Sequence, residues 1–397
     1  MPKFNNLQAR SHSGLTGLIR GIGWRRNQGL FCRGAAMGCL RFLLALAVVI
    51  FHAEKHLMTG GGPSVQGFYI VSGFFMTFIL NEKYNTPDKN TLFITNRLLR
   101  IWSIYWVILL LSGAYSIYSG TGPIALLGTE YSNLSFPSLL YIIFSNIFLL
   151  GLDFGLFMGL SNGHLIFQDF TASLPPRLYE FTLVSQAWSL GVEMLFYMVA
   201  PFIVRRSWPI VLTIALAGLI GRMISGLDGD PWANRFFPFE LSIFLLGSLS
   251  YFRFAKIKHR QLNLAEKIFG ASPILLVIAY PWYGREDLFF QPGRIVLLAG
   301  IAAGLPYLFH MTRNISLDRS IGNLSYPLYL CHMLVISILS TLPGLSGPWF
   351  WIAVVAASIA LAKVTEMLIE VPVERFRERR WQRYGLRPSG VKFNGSA

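Results

Sequence analysis

The chain has 397 residues, of which 53% are hydrophobic and only 13% are charged, and its mean hydropathy is +0.50. Because a soluble domain usually carries about 25% charged residues, this composition excludes an ordinary soluble enzyme or binding module. The formal net charge of +15 does not indicate nucleic-acid binding, because basic residues beside membrane spans lie against anionic lipid headgroups.

The chain begins with a basic segment, residues 1–36, that holds no acidic residue. This segment has no apolar core followed by a cleavage site, so we do not expect a removable signal peptide, and Met37 is an alternative start to Met1. The three cysteines of the chain show no metal-ligand spacing and indicate no disulfide framework. We therefore predict neither a bound metal nor a disulfide.

Ten stretches of the chain are candidate transmembrane helices, which need roughly 20 mostly apolar residues to cross a hydrocarbon core of about 30 Å. They are residues 38–57, 66–81, 98–119, 184–204, 208–226, 236–253, 268–283, 294–312, 321–342 and 348–370, two of them short. An eleventh stretch, residues 137–152, is ambiguous. Whether it crosses decides the orientation of every later span.

The distribution of Lys and Arg favours one topology, because short cytoplasmic loops of membrane proteins carry an excess of basic residues. With a cytoplasmic N-terminus and residues 137–152 not crossing, the cytoplasmic segments hold 26 basic residues and the outer segments hold 4. If that stretch crossed, 13 would lie inside and 17 outside. We therefore predict an all-α polytopic bundle of about ten transmembrane helices with both termini cytoplasmic, in which residues 137–152 are re-entrant or interfacial. The membrane domain would cover residues 37–376, followed by a basic cytoplasmic tail, residues 377–397.

The first predicted span carries two ionisable residues, Arg41 and His52, on one stripe. They are 11 residues apart, which brings them to within about 20° of the same helix face and ~16 Å apart along the axis. A neutral imidazole is able to take a proton from an acceptor hydroxyl, as general base catalysis requires. The alternative is that His52 only marks the outer membrane interface, beside the polar residues 54–56.

Arg97 and Arg100 lie at the start of the third predicted span, at positions i and i+3, so both are able to face one ligand. Guanidinium groups bind phosphate oxygens well, which predicts a phosphate-bearing ligand here. The alternative is that the pair anchors the span on the cytoplasmic side, where topology alone places arginines.

Two later spans carry polar stripes. In the string WSLGVEMLFY, Ser189, Glu193 and Tyr197 repeat at i and i+4. A carboxylate at mid-membrane needs a partner, and Arg41 and His52 are the natural candidates for Glu193. In the string GNLSYPLYLCH, Ser325, Tyr329 and His332 share one face. For both stripes a structural hydrogen-bond network is the alternative to a reaction centre.

Six strings resemble, in this order and spacing, the sequence pattern of acyltransferase family 3: LRFLLALAVVIFH, VQGFYIVSGFFMT, NRLLRIWSIYW, WSLGVEMLFY, IGNLSYPLYLCH and IEVPVE. The resemblance covers about residues 37–376. It implies an integral membrane enzyme, expected in a bacterial inner membrane, that moves an acyl group, commonly acetyl, from cytoplasmic acyl-CoA to a hydroxyl of a cell-surface, secreted or lipid-linked glycan. Acyl-CoA would be a co-substrate, no cofactor would be bound permanently, and glycan-assembly proteins are expected partners.

The resemblance also implies roles for individual residues. It makes His52 and Arg41, with Glu193, the expected catalytic residues, and Arg97 and Arg100 the expected acyl-CoA ligands. Supporting residues would be Trp188, Ser189, Tyr326, Tyr329 and His332. The oxyanion of the reaction would be stabilised by a nearby donor such as Arg41.

A transporter or flippase for a lipid-linked sugar remains the alternative class, in which Arg41 and Glu193 would line a passage. The pattern also departs from the family at several positions: Trp102, Cys331, Met194 and Leu195 stand where the family often has other residues. These departures bear on substrate detail and local packing more than on the reaction.

Overall fold

The apolar windows of the sequence fold as helices, because a helix satisfies its own backbone hydrogen bonds where lipid offers none. A computed structural model describes residues 36–53, 57–168, 171–284 and 288–385. The basic N-terminal segment, the polar residues 54–56 and the end of the tail therefore lie outside the described residues. The helices are α1 Gly38–Ala53, α2 Gly61–Glu82, α3 Asn90–Ser119, α4 Gly122–Glu130, α5 Phe136–Phe148, α6 Trp188–Ile203, α7 Trp208–Ser225, α8 Phe237–Ile257, α9 Leu264–Tyr283, α10 Pro292–Thr312, α11 Ser316–Asn323, α12 Ser325–Leu339, α13 Pro348–Thr365 and α14 Val371–Gly385.

Within the described ranges, seven helical stretches are long and apolar enough to cross a membrane. They are Gly61–Glu82, Pro87–Ser119, Trp208–Ser225, Leu264–Tyr283, Pro292–Thr312, Ser316–Leu339 and Gly347–Tyr384. These stretches correspond to seven of the ten predicted windows. The remaining three windows also contain helices: α1, which is apolar but has only 16 residues, α6 and α8. The predicted helical membrane architecture is thus confirmed, whereas ten crossings stay a prediction.

The ambiguous stretch at residues 137–152 forms the short helix α5, which has 13 residues and a length of ~20 Å. It is followed by a small antiparallel hairpin of β1 Met158–Ser161 and β2 His164–Phe167. The turn of the hairpin is Asn162-Gly163, and both residues have positive φ angles of 48° and 77°, as a type I′ turn requires. The all-α prediction missed this hairpin because strands of four residues are too short to show an alternating pattern.

Helix α2 is the centre of the bundle, and most of its length is buried. It packs backbone to backbone against α8. A Cβ atom added at Gly73 would lie 1.8 Å from the carbonyl oxygen of Phe244, and one added at Gly247 would lie 1.8 Å from the carbonyl oxygen of Ile70. Small residues at such crossings let membrane helices approach closely. This contact fixes α2, which contributes residues to both cavities described below.

Candidate active site

Two cavities lie at opposite ends of α1. Arg41, in the first turn of the helix, lines a cavity of about 400 Å³ that we call the arginine cavity. His52, in the last turn, lines a second cavity of about 580 Å³ that we call the histidine cavity. The two residues share one face of α1, as the sequence predicts, but they are ~16 Å apart along the axis. Each residue therefore lines a different cavity.

The hydrogen bond of His52 determines which ring nitrogen is available for chemistry. Its Nδ1 atom lies 2.9 Å from the carbonyl oxygen of Val48, one turn earlier in α1. A carbonyl oxygen only accepts, so Nδ1 carries the proton, and the lone pair of the neutral imidazole is on Nε2. The ring also packs edge-on against Phe51, with ring centroids 5.3 Å apart. His52 is therefore held in one tautomer, with a basic nitrogen left over.

A second imidazole, that of His332, packs behind the first. Their ring centroids are 5.1 Å apart. His332 is fully buried, and its Nδ1 donates to the carbonyl oxygen of Tyr329 at 2.7 Å. Among the described residues its Nε2 has no hydrogen-bond partner. His332 lines neither cavity, so its contact with the site is through the ring of His52.

Arg97 and Arg100 both line the arginine cavity, as their i, i+3 spacing allows. In all, seven basic and five acidic side chains line this space. Arg100 pairs with Glu370, whose carboxylate oxygen lies 3.7 Å from its guanidinium nitrogen. The excess of basic groups gives the cavity the character of an anion site.

Glu193 also lines the arginine cavity, but its hydrogen-bond partners differ from those expected. Its carboxylate accepts bonds from the hydroxyls of Ser72 and Tyr197, each at 2.6 Å. Arg41 and His52 are not among its hydrogen-bonding partners. Tyr197 is one turn away on the same helix and Ser72 is on α2, so two hydroxyls satisfy the charge without an ion pair. The polar stripe of α6 therefore faces the arginine cavity, and Arg41, which lines the same cavity, interacts with Glu193 through its charge rather than through a hydrogen bond.

Two side chains, Val65 and Tyr329, line both cavities and separate them. The Tyr329 hydroxyl is held 2.7 Å from the Ser189 hydroxyl and 3.0 Å from the carbonyl oxygen of Gln186. The boundary is thus one layer of side chains thick. Tyr326 lies on the arginine side, where it donates to the carbonyl oxygen of Ile101 at 2.7 Å.

Several residues of the two cavities carried no sequence prediction. Glu366 and Glu370 come from a π-helical turn, Glu366–Glu370, that joins α13 to α14. Such turns are frequent at functional sites. Glu370 lies in the string IEVPVE, so the motif itself held this signal.

Lys83, directly after α2, also lines the arginine cavity. Its ammonium nitrogen lies 4.5 Å from the ring centroid of Trp381. Burial is the main cause, and the positive charge of Arg97 the second cause, that lowers the pKa of Lys83 to about 6. No periodicity links Lys83 to α3 or to α14, so the sequence gave no reason to group it with the arginines.

On the histidine side, Trp188 lines the cavity together with Asp230 and Arg235. The last two lie in the connection between α7 and α8. The sequence offered no signal for them, because a connection between helices has no periodicity from which a facing direction is predicted.

The chain matches known sequences over most of its length. A family model described as an acyltransferase domain matches residues 35–367. The exopolysaccharide production protein ExoZ of Rhizobium meliloti is 25% identical over 354 residues, which cover 84% of this chain and 96% of the relative. The nodulation protein 10 of Rhizobium leguminosarum is 24% identical over 375 residues, covering 85% and 92%.

A third relative is longer than this chain. The peptidoglycan O-acetyltransferase OatA of Listeria monocytogenes is 23% identical over 367 residues, covering 85% of this chain and 55% of the relative. The chain therefore spans little more than half of that protein. No solved structure gives a significant match.

Proposed function

The chain belongs to the acyltransferase 3 family and is an integral membrane O-acyltransferase, and on that premise we propose that it moves an acetyl group from acyl-CoA to a glycan hydroxyl. The family match confirms the resemblance, and residues 35–367 contain five of the six motifs, while IEVPVE lies just beyond the matched range. The observation that carries the proposal is the position of His52, whose free Nε2 lines one cavity, one side-chain layer away from a second, arginine-lined cavity.

We assign the donor to the arginine cavity. Guanidinium groups suit the phosphates of acyl-CoA, and Arg97 and Arg100 are placed for them, with Lys83 close by. The remaining wall of this cavity includes apolar side chains such as Val71 and Phe75 of α2, which suit the thioester arm. In the topology predicted from the basic residues, this cavity opens toward the cytoplasm.

We assign the reaction to the boundary between the cavities. Nε2 of His52 takes the proton of the acceptor hydroxyl, and the oxygen attacks the thioester carbonyl carbon. A C–O bond forms, the C–S bond breaks, and the imidazolium returns the proton to the thiolate of CoA. In a variant of this path, Nε2 is itself acylated first and the acceptor then attacks the acyl-imidazole.

The separation of the cavities changes the role proposed for Arg41. A donor to the oxyanion must lie within about 3 Å of it, whereas Arg41 is ~16 Å along α1 from His52. We therefore place Arg41 and Glu193 with donor binding. The Tyr329 hydroxyl, at the boundary, donates to the carbonyl oxygen of Gln186, and we propose that it exchanges this acceptor for the developing oxyanion.

We also propose ten crossings with both termini cytoplasmic, in a bacterial inner membrane. The 26 to 4 split of basic residues and the helices at all ten windows support it. Single cysteines at His259 and Leu174, on a cysteine-free background, should react with impermeant reagents from opposite sides of the membrane. Labelling of both from one side would refute the topology.

The experiment that tests the catalytic proposal uses the purified protein in lipid nanodiscs with labelled acetyl-CoA and a glycoside acceptor. His52→Gln keeps a side chain of similar size but removes the base, so transfer should fall at least 100-fold, in the range that general base catalysis supplies. Acetyl-CoA binding should persist. His164→Gln, at the exposed first residue of β2, is the matched control. Full transfer by His52→Gln would sink the assignment.

A further inference from the structure

One wall of the histidine cavity is built from the segment between α7 and α8. Arg235 forms a two-pronged ion pair with Asp230, with nitrogen–oxygen distances of 2.8 and 3.0 Å. The same guanidinium lies over the Trp188 ring, 4.2 Å from its centroid. Asp230, Asn234, Arg235 and Trp188 all line the cavity that holds His52.

Buried polar groups hold this wall in place. The carbonyl oxygen of Ala233 accepts from Gln66 Nε2 at 3.0 Å and from Arg222 at 3.4 Å. Asn234 Oδ1 accepts from Arg294 at 3.2 Å. Gln66, Arg222 and Arg294 are all fully buried. The backbone before Asn234 and the side chain of Asn234 are therefore held by buried groups behind the wall, in the way that a recognition surface needs.

An ion pair inside the protein anchors that support. Arg222 contacts Glu240 at 2.5 Å, and both side chains are fully buried. Gln66 donates to the same carboxylate. Buried ion pairs contribute little net stability, and breaking one is strongly destabilising. We therefore explain this ion pair by its positioning role, because Arg222 and Gln66 both hold the backbone of the cavity wall.

A glycine at the start of α2 leaves space for the Asn234 side chain of the wall. A Cβ atom added at Gly62, at the start of α2, would lie 2.9 Å from Asn234 Oδ1 and 3.1 Å from an Arg294 nitrogen. Glycine at this position lets the Asn234 side chain come close to α2, next to the end of α1 that carries His52.

The charges of the wall cancel. Among the described residues that line this cavity, Asp230 and Arg235 are the only permanently charged side chains, and they are paired with each other. The arginine cavity, by contrast, has an excess of basic groups. A ligand with a net charge gains nothing from the balanced wall, whereas hydroxyl groups find donors in Arg235 and acceptors in Asp230.

A second feature of the cavity also points to a ligand with hydroxyl donors. Gln186 lines it and is only 4% exposed. Its Nε2 is engaged by the carbonyl oxygen of Leu330 at 2.5 Å, while its Oε1 has no hydrogen-bond partner among the described residues. A buried acceptor without a partner is costly, and a carboxylate or phosphate beside it would add a repulsion that a neutral, hydroxyl-bearing ligand does not.

We infer that the histidine cavity binds a neutral saccharide unit, recognised by the Asp230–Arg235–Trp188 wall and by Gln186, and that it selects against saccharides with an acidic group. This inference rests on the proposed function and adds the chemical class of the acceptor. Because Asp230 offsets the charge of Arg235, each of the two residues controls the preference in an opposite direction.

The test compares a neutral acceptor, p-nitrophenyl β-glucoside, with an acidic one, p-nitrophenyl β-glucuronide, with labelled acetyl-CoA and the full-length protein in nanodiscs. The glucuronide has a carboxylate in place of the C6 hydroxymethyl group, so the effect of charge is read from the change that each wall variant makes in the ratio. The wild type should prefer the glucoside by at least tenfold in kcat/KM. Asp230→Asn exposes the charge of Arg235 and should shift the ratio toward the glucuronide by tenfold or more. Arg235→Gln leaves Asp230 unbalanced and should shift the ratio further toward the glucoside.

The matched control is Asp228→Asn, two residues from Asp230. The Asp228 carboxylate accepts from the backbone N–H groups of Phe289 and Phe290 and does not line the cavity, so this variant should keep the wild-type ratio. Equal use of both acceptors by the wild type, or an unchanged ratio in both wall variants, overturns the inference and leaves the proposed function standing. No acetylation of either glycoside overturns both. If one wall variant fails to fold, as judged by size-exclusion chromatography, the other carries the test.

Discussion

At the residue scale, the chemistry of position 52 depends on the carbonyl group one turn before it. Val48 is apolar, yet its backbone oxygen fixes the proton of His52 on Nδ1 and leaves Nε2 as the base. His332 repeats the arrangement with the carbonyl of Tyr329. Both imidazoles are thus oriented by the backbone, and among the described residues no carboxylate forms a hydrogen bond with either ring.

Arg97 and Arg100 lead to a prediction about donor binding. If they hold the phosphates of acetyl-CoA, Arg97→Gln and Arg100→Gln should each raise the KM for acetyl-CoA about tenfold or more, because each loses a charged hydrogen bond. The KM for the glycoside should change much less. Arg206→Gln, which removes an exposed arginine outside both cavities, is the control. An unchanged KM for acetyl-CoA in both cavity variants would contradict the assignment.

Asp153 leads to a prediction about stability. It lies between α5 and β1, is only 2% exposed, and one of its carboxylate oxygens has no partner among the described residues. Burial raises the pKa of Asp153 to about 6, against about 3.9 in an unfolded chain. Between these values the folded protein binds more protons than the unfolded chain, so the free energy of unfolding falls as the pH rises through this window.

Asp153→Asn removes the free-energy cost of ionising this buried carboxyl group. At pH 8 the variant should be more stable than the wild type by on the order of 3 kcal/mol, since each unit of pKa shift corresponds to about 1.4 kcal/mol. At pH 4 both proteins carry a neutral side chain at this position and should unfold alike. The measurement is the thermal midpoint in detergent at the two pH values. An equal difference at both would refute the prediction.

The sequence predicted most of the individual site residues, but not how they are divided. Spacing along a helix places Arg97 beside Arg100, and both prove to line one cavity. Spacing does not reveal which space a side chain enters, so Arg41 and His52 were expected in one site. Asp230 and Arg235 were not predicted, because they lie in the connection between α7 and α8. The path of that connection is set by hydrogen bonds from buried side chains, which the sequence does not reveal.

At the element scale, the arrangement of both cavities depends on α2. This helix carries Val65 at the boundary and Ser72 beside Glu193, and its glycine contact with α8 sets its position. The apolar windows in the sequence were sufficient to predict these helices. Their contacts were not predictable, because a glycine in an apolar run does not show which helix approaches it.

Gly73→Ala tests this contact. Its added methyl group would collide with the backbone carbonyl of Phe244, and a backbone atom cannot move aside as a flexible side chain does. We expect a loss of about 3 kcal/mol of stability, at the upper end of the range for overpacking in a core because the clash is with backbone, seen as a lower thermal midpoint. Gly128→Ala, where nothing lies within 4 Å of the added atom, should unfold like the wild type. Equal midpoints for the two variants would contradict the prediction.

At the scale of the whole molecule, two cavities meet at one thin boundary, and in our proposal one cavity binds the charged donor and the other binds the neutral acceptor. The basic residues that indicate the cytoplasmic side in the sequence also supply the arginine cavity. Lys258, at the end of α8, pairs with Glu82 at 2.9 Å, directly before Lys83 of that cavity. The turn after α8 therefore lies close to the Lys83 end of the arginine cavity.

The most direct measurement of this arrangement is a sidedness assay in sealed proteoliposomes. The glycoside is enclosed in the lumen, labelled acetyl-CoA is added only outside, and a single cysteine at His259 on a cysteine-free background reports the orientation of each molecule. We predict acetylated glycoside in the lumen in proportion to the protein whose His259 faces outward. Product that forms only when acetyl-CoA and glycoside are on the same side of the membrane would contradict the two-cavity arrangement.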